Sequence, residues 1–367
     1  MKWCFFALGM ILLVAAIITF CTHKDERDSF GKRMHIAMVM TGARDDHSWN
    51  ESHYKAMKKV AHKLNLEVEY YDNVPNDSTA ENVMELAISH GAQVIIATSF
   101  DFGDKILKIA TRHPNIKFLH ATGIRTAPNL STFFGRIYQM RYLSGIVAGL
   151  TTKNNRIGFL AGLNISEVNR SINAFALGVQ KVNPEAKVYV SWSGSWIDEL
   201  MADDAASYLI DTVGVDLLTV HVDALAPYEI AEKKNVWIIG YNNDNSKLYP
   251  KRFLTAPIWR WEKFYETKIQ EIIHHKFISR DYWLGVESGA IDLAPLSKHV
   301  DDSIRVLVEQ ERKRIEQGIF DVFFGPIIDN HGMVRIESGE SMTDAEMINH
   351  FDWYVKGVID GIDSQGY

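Results

Sequence analysis

From residue 35 onward the chain alternates between two hydrophobic periods. Ile36-Ala37-Met38-Val39-Met40 is an unbroken apolar run with the length of a buried strand. After it, Ala56, Met57, Val60, Ala61 and Leu64 recur at the three- and four-residue spacing of one helix face. Further strand-type runs lie at 66–71, 93–98 and 116–120, with helical patterns at 50–64, 79–90 and 103–112 between them. Apolar strands separated by helices across short connections predict a parallel sheet covered on both faces. Asp77 and Ser78 are N-cap residues, Gly91 suits a left-handed cap, and His113-Pro114 stops the third helix.

The order then restarts. Arg156–Ala161 is a strand, 168–182 a helix, Ala186–Val190 a strand and 198–212 a helix. A strand at 215–220, a helix at 226–234 and the strand Val236–Gly240 follow. Two rounds of one order predict an α/β protein of two doubly wound lobes. At the boundary, Leu143 to Leu150 carries Ser144, Gly145, Ala148 and Gly149, small residues that let a helix pack tightly. Beyond Thr255-Ala256-Pro257 a helix at 260–275 precedes short strands near 282–293 and a charged helix at 301–317. Phe323–Ile327 and a terminal helix at 344–360 complete the chain. Such a tail crosses between lobes several times and makes a hinge. The expected lobes are 34–140 with about 257–280, and 141–256 with about 281–360.

The first residues are different. Trp3 to Cys21 is apolar apart from Thr19, with Lys2 ahead and His23-Lys24-Asp25-Glu26-Arg27 behind. One reading is a lipoprotein signal with Cys21 lipidated after cleavage, although Phe20 stands where a small residue is usual. The other is an uncleaved signal anchor. Both tether the folded part outside the cytoplasm, through a polar linker at 22–33. Cys4 and Cys21 are the only cysteines, so the folded part has no disulfide, Cys-ligated zinc or Cys nucleophile. A net charge of -7 and a pI near 6.1 lack the footprint of a nucleic-acid binder.

No phosphate-loop, dinucleotide, zinc-protease or nucleophile-elbow motif is present, and the 14 histidines show no metal spacing. An enzyme is not expected, nor a cofactor or metal. What recurs is an aromatic or polar residue just after a strand, where doubly wound sheets meet ligands. Trp49 lies in Asp45-Asp46-His47-Ser48-Trp49-Asn50, after the first strand; Ser99 and Phe100 follow the third. In the second lobe come Trp196 and Asp198, then Asn242 and Asp244 after Tyr241; Trp259, near Trp261, follows the strand ending near Thr255. His120 and His221 stand at strand ends. Trp49 and Trp196 from facing lobes could close on a planar ring, with Asp, Asn and Ser reading its edges. Bland roles compete: Asp46 and Asp198 as helix caps, Asp223 as a cap of its following segment, the histidines as structural hydrogen-bonders. Trp192 and Trp237 read as core, and Trp261 could equally pack the crossing helix.

The Asp45–Asn50 loop resembles that of the basic membrane protein family, substrate-binding proteins of ABC importers related to the purine nucleoside receptor lipoproteins. The resemblance runs from about 34 to 360 through Ala97–Phe100, His120–Gly123, Arg141–Gly149, Glu167–Phe175, Val182–Pro184, Trp196–Asp198, Gly325–Ile327 and Asp352–Val358. It implies a type I periplasmic-binding fold closing on a purine base or nucleoside held between Trp49 and Trp196. Asp46, Asn50, Ser99 and Phe100 would be first-lobe contacts. Nucleoside-binding members place an Asp and a Lys where this chain has Asn242 and Trp259. The chain is more similar to a branch with Trp at that place, suited to free bases such as adenine. The expected partners are a small purine-type ligand, ABC permease subunits and the membrane, for a monomeric, tethered receptor. A ligand-sensing receptor of the same fold is the alternative, and a nucleoside hydrolase the third.

Overall fold

The computed structural model describes residues 33–360; Cys21 and the expected signal or anchor segment lie outside them. Two six-stranded sheets, each wholly parallel, form two α/β lobes. The first sheet runs Asp281–Leu284, Leu130–Gly135, Lys117–Ala121, Val94–Ala97, His35–Val39, Glu67–Tyr71. The second runs Phe253–Thr255, Trp237–Ile239, Leu217–His221, Arg156–Ala161, Lys187–Trp192, Val358–Ile359. In each lobe the earliest strand has its successors on opposite sides. Strand order therefore reverses beside His35–Val39 and beside Arg156–Ala161, and ligands of open parallel sheets sit at such reversals.

Pro257–Trp259 pairs antiparallel with Ile291–Leu293, and this small ladder is part of the connection between the lobes. The helix Trp261–Ile273 returns to pack on the first-lobe helix Trp49–Leu64, while Asp302–Glu316 packs on Tyr138–Thr151. Asp77 caps the helix Ser78–Ser89 and Gly91 has φ +97°, as the pattern indicates. Among the described residues no helix is long and apolar enough to cross a membrane.

Three stretches depart from expectation. Leu130–Gly135 forms a strand that the pattern did not single out. Asp281–Leu284 pairs with it, so the chain from 281 does not pass directly into the second lobe but first adds an edge strand to the first sheet. The terminal helix spans only Asp344–Asn349. Beyond it the backbone is extended because amides of the helix Ser166–Val182 take its hydrogen bonds. Asn169 donates to the Phe351 carbonyl at 3.0 Å, while Asn173 donates to the Trp353 carbonyl at 2.8 Å and accepts from the Val355 N–H at 2.9 Å. The strap then adds Val358–Ile359 to the second sheet.

Candidate functional site

At the first reversal the Asp46 carboxylate is spent on its own loop. It accepts from the backbone N–H groups of Ser48, Asn50 and Glu51 at 2.8, 2.9 and 2.9 Å, and from Asn50 Nδ2 at 2.8 Å. From two residues before the N-cap Ser48 it thus satisfies the first amides of the helix Trp49–Leu64, and its place is that of an organiser behind the site. The half-buried Trp49 indole donates to the Thr98 carbonyl at 2.7 Å. Its ring stands edge-on to Trp259 and Trp261, with centroids 5.7 and 5.9 Å away. Asn50 is buried, and with its amide nitrogen on Asp46 its Oδ1 has no partner among the described residues.

The lobes meet through a set of short contacts. Ser48 Oγ donates to Asp223 Oδ1 at 2.5 Å, and Asn242 Nδ2 donates to the same oxygen at 2.8 Å and to Ser48 Oγ at 3.0 Å. Trp259 Nε1 donates to Asn242 Oδ1 at 2.7 Å, which fixes the orientation of that amide. Asn243 and Asn245 reach the Ser48 and His47 carbonyls at 2.9 and 3.2 Å. Both ends of the Asn242 amide, expected as a ligand contact, are therefore bonded to protein at the lobe contact. Asp244 is exposed and accepts only from its own turn, at Ser246 N.

Asp223, for which the sequence leaves a cap of the following segment as an equal alternative, is the centre of this latch between the lobes. Burial, followed by the nearby charge of Asp46, pushes its carboxyl up to about 6, against the pull of Ser48, Asn242 and the Trp49 backbone. A carboxyl raised above its free value favours the protonated form in the latched state. The stability that this carboxyl contributes is therefore fully present below about pH 4, the range of a free Asp, and is progressively lost as pH rises through about 6. Asp223→Asn stays neutral throughout. Its melting temperature should gain on the wild type's between pH 4 and 7, and parallel melting profiles across that range would refute the assignment.

The second lobe presents Trp196 and His221. The half-buried Trp196 ring lies on Gly162, where an added Cβ would meet it at 2.5 Å, and its centroid is 6.1 Å from His221. Its carbonyl accepts from the backbone N–H of Asp223 at 2.7 Å. Asp223 thus joins the two tryptophan loops, although each indole has its aromatic neighbours on its own side. His221 is buried, and burial is the main cause that lowers its pKa. Arg141 Nη2 donates to its Nδ1 at 3.1 Å, so the neutral ring carries its proton on Nε2 and donates to Glu167 Oε2 at 3.2 Å. Burial would raise the Glu167 pKa, but His221, Arg170 and Arg141 together leave it lowered and the carboxylate charged.

The remaining expected contacts lie off this seam. Ser99 caps the short helix Phe100–Phe102, and its carbonyl accepts from His120 Nε2 at 2.7 Å. Phe100 is 58 % exposed and shares with His120 a hollow of about 390 Å³, walled by Asn76, Lys105 and Arg125. That hollow is lined from the first lobe alone. Asp198 is exposed and caps the helix Glu199–Ser207, accepting from Met201 N at 3.0 Å. Trp261 is fully buried and stacks between His53 and Trp259, at 4.9 and 4.5 Å. Sequence reasoning passed over Asp223 as a latch, and also Glu167, Phe134 and Trp283. Phe134 and Trp283 are neighbouring half-buried rings on the two strands whose pairing was not foreseen. Glu167 had a signal available, since it opens the helix after the first strand of the second round, as Trp49 does in the first.

A family model described as ABC transporter substrate-binding protein PnrA-like matches residues 33–320. A purine-binding protein of Brucella abortus (strain 2308) is 32% identical over 331 residues, covering 90% of this chain and 94% of that protein. A putative ABC transporter glucose-binding protein of Haloferax volcanii is 35% identical over 81% of this chain and 76% of its own length. Among solved structures, a solute-binding protein of an ABC transporter system from Conexibacter woesei superposes with TM-score 0.68 at 21% identity. It covers 78% of this chain and 98% of that one, a likeness of fold.

Proposed function

Since the chain belongs to the PnrA-like family of ABC transporter substrate-binding proteins, we propose that its solute is a purine, free base in preference to nucleoside, carried to an ABC permease. The family makes it an extracytoplasmic solute-binding component that works with permease subunits. The purine is our reading, and one observation carries it: half-buried indoles, Trp49 and Trp196, stand on opposite lobes at loops joined through Asp223. Stacking on such rings supplies affinity for a flat heterocycle.

The named ligands of the two relatives differ, and the seam favours the purine. A sugar needs a hydrogen-bond partner for nearly every hydroxyl it buries. Here Asp46, Asn242 and Asn243 already bond to protein. The preference for a base rests on Asn242 and Trp259, which bond to each other where the resemblance puts a ribose-holding Asp and Lys. In this reading the receptor acts as a monomer, tethered by a lipid on Cys21 or by an uncleaved signal anchor, which the mass of the mature N-terminus distinguishes.

Thermal-shift measurements with adenine, hypoxanthine, adenosine and glucose test the ligand. A base at about 100 times its Kd should add roughly 2.7 kcal/mol to stability, and adenosine less at equal concentration. Stabilisation by glucose and by no purine would remove the reading.

A further inference from the structure

Glu167 occupies in the second lobe the position that Trp49 and Asn50 occupy in the first. It lies in the opening turn of the helix Ser166–Val182, directly after the strand beside which the second sheet reverses. Its oxygens are unequally used. Oε2 receives the His221 proton, whose position is dictated by Arg141 on the opposite ring nitrogen. Among the described residues Oε1 has only a 3.5 Å contact from Ser171 Oγ, and one-fifth of the side chain remains accessible. The chain of donors running from Arg141 through His221 thus ends in a charged oxygen that can only accept. In the first lobe, Asn50 Oδ1 is a second acceptor, buried and without a partner among the described residues. A ligand that engaged both acceptors would bring N–H donors on two edges.

We propose that Glu167 is a specificity-determining residue that accepts a hydrogen bond from an N–H of the bound ring and selects amino-substituted purines over their 6-oxo counterparts. This rests on the purine reading above. Adenine brings an exocyclic amino group on one edge and a ring N–H on another. In the same pose hypoxanthine sets a carbonyl oxygen against the carboxylate, two acceptors with no proton between them. A free base also keeps the ring N–H that glycosylation removes from a nucleoside, so the same acceptors disfavour nucleosides.

Calorimetric titration of the wild type and Glu167→Gln with adenine and hypoxanthine tests this. The glutamine keeps the shape; its oxygen continues to accept from His221 and its amide nitrogen turns the free edge into a donor. The wild type should prefer adenine by about tenfold to a hundredfold, the range of one hydrogen bond to a charged group. The variant should lose that preference or invert it. Glu167→Ala, measured alongside, should weaken adenine more than hypoxanthine. Purine binding with the same adenine-to-hypoxanthine ratio in all three proteins overturns the role of Glu167 alone. A wild type that binds neither base overturns the purine reading with it.

Discussion

Trp196→Ala is expected to weaken binding of the proposed purine by about 1–3 kcal/mol, the usual value of one base–aromatic stack. At tenfold per 1.4 kcal/mol that is roughly five- to 150-fold in Kd. The ring is half-buried and rests on the backbone at Gly162, so part of its apolar surface is open to a ligand. The fold should survive, because the loop is tied by its main chain. The Trp196 carbonyl holds the N–H of Asp223, and Ser195 Oγ accepts from the N–H groups of Ile197 and Asp198 at 3.2 Å. An alanine there keeps all of these. A melting temperature near that of the wild type with weakened binding is the expected pair of results, and unchanged affinity would take Trp196 out of the site. Trp49→Ala would be a poorer probe, since that ring also packs on His53, Trp259 and Trp261.

The second large effect concerns the fold itself. Gly145 and Gly178 face each other where the helices Tyr138–Thr151 and Ser166–Val182 cross. A Cβ on Gly145 would lie 2.1 Å from the Phe175 carbonyl oxygen, and one on Gly178 would lie 2.0 Å from that of Tyr142. The obstacles are backbone atoms, so no rotamer change relieves them; the helices must move apart. Alanine favours a helix interior over glycine by about 1 kcal/mol, whereas overpacking costs about 1–3 kcal/mol and more where nothing can yield. The clash should win. Gly178→Ala is expected to lower the urea midpoint clearly, by more than 1 kcal/mol in stability. A variant at least as stable as the wild type would show that the crossing is looser than its geometry implies. Glu167 and Arg170 lie on the second of these helices, so such a variant should also disturb the site.

Much of this molecule was legible as pattern. The strands and helices of both rounds fall within a few residues of the hydrophobic runs, because a parallel strand is buried on both faces and a covering helix on one. The Gly-rich boundary helix packs closely, as its small residues indicate. Leu130–Gly135 was missed although its residues are suited to a strand, since it follows the preceding strand without an intervening helix. The terminal helix was overextended past Asn349. What ends it is Asn169 and Asn173, some 180 positions away in sequence and invisible to any local rule.

The site divides along the same line. Local sequence placed Trp49, Trp196, Asn242, Trp259 and His221 at the ligand end of the sheets, because that end follows from strand direction alone. It also held the two-lobed architecture and the family. Only the tertiary structure decided which of these side chains remain free. Asp46 is consumed by its helix, Asn242 by Trp259 and Asp223, and His221 by Arg141 and Glu167. Hydrogen-bonding capacity is finite, and a polar group's availability to a ligand depends on partners brought to it by folding. A sequence states that capacity; the packing of distant segments determines how it is spent.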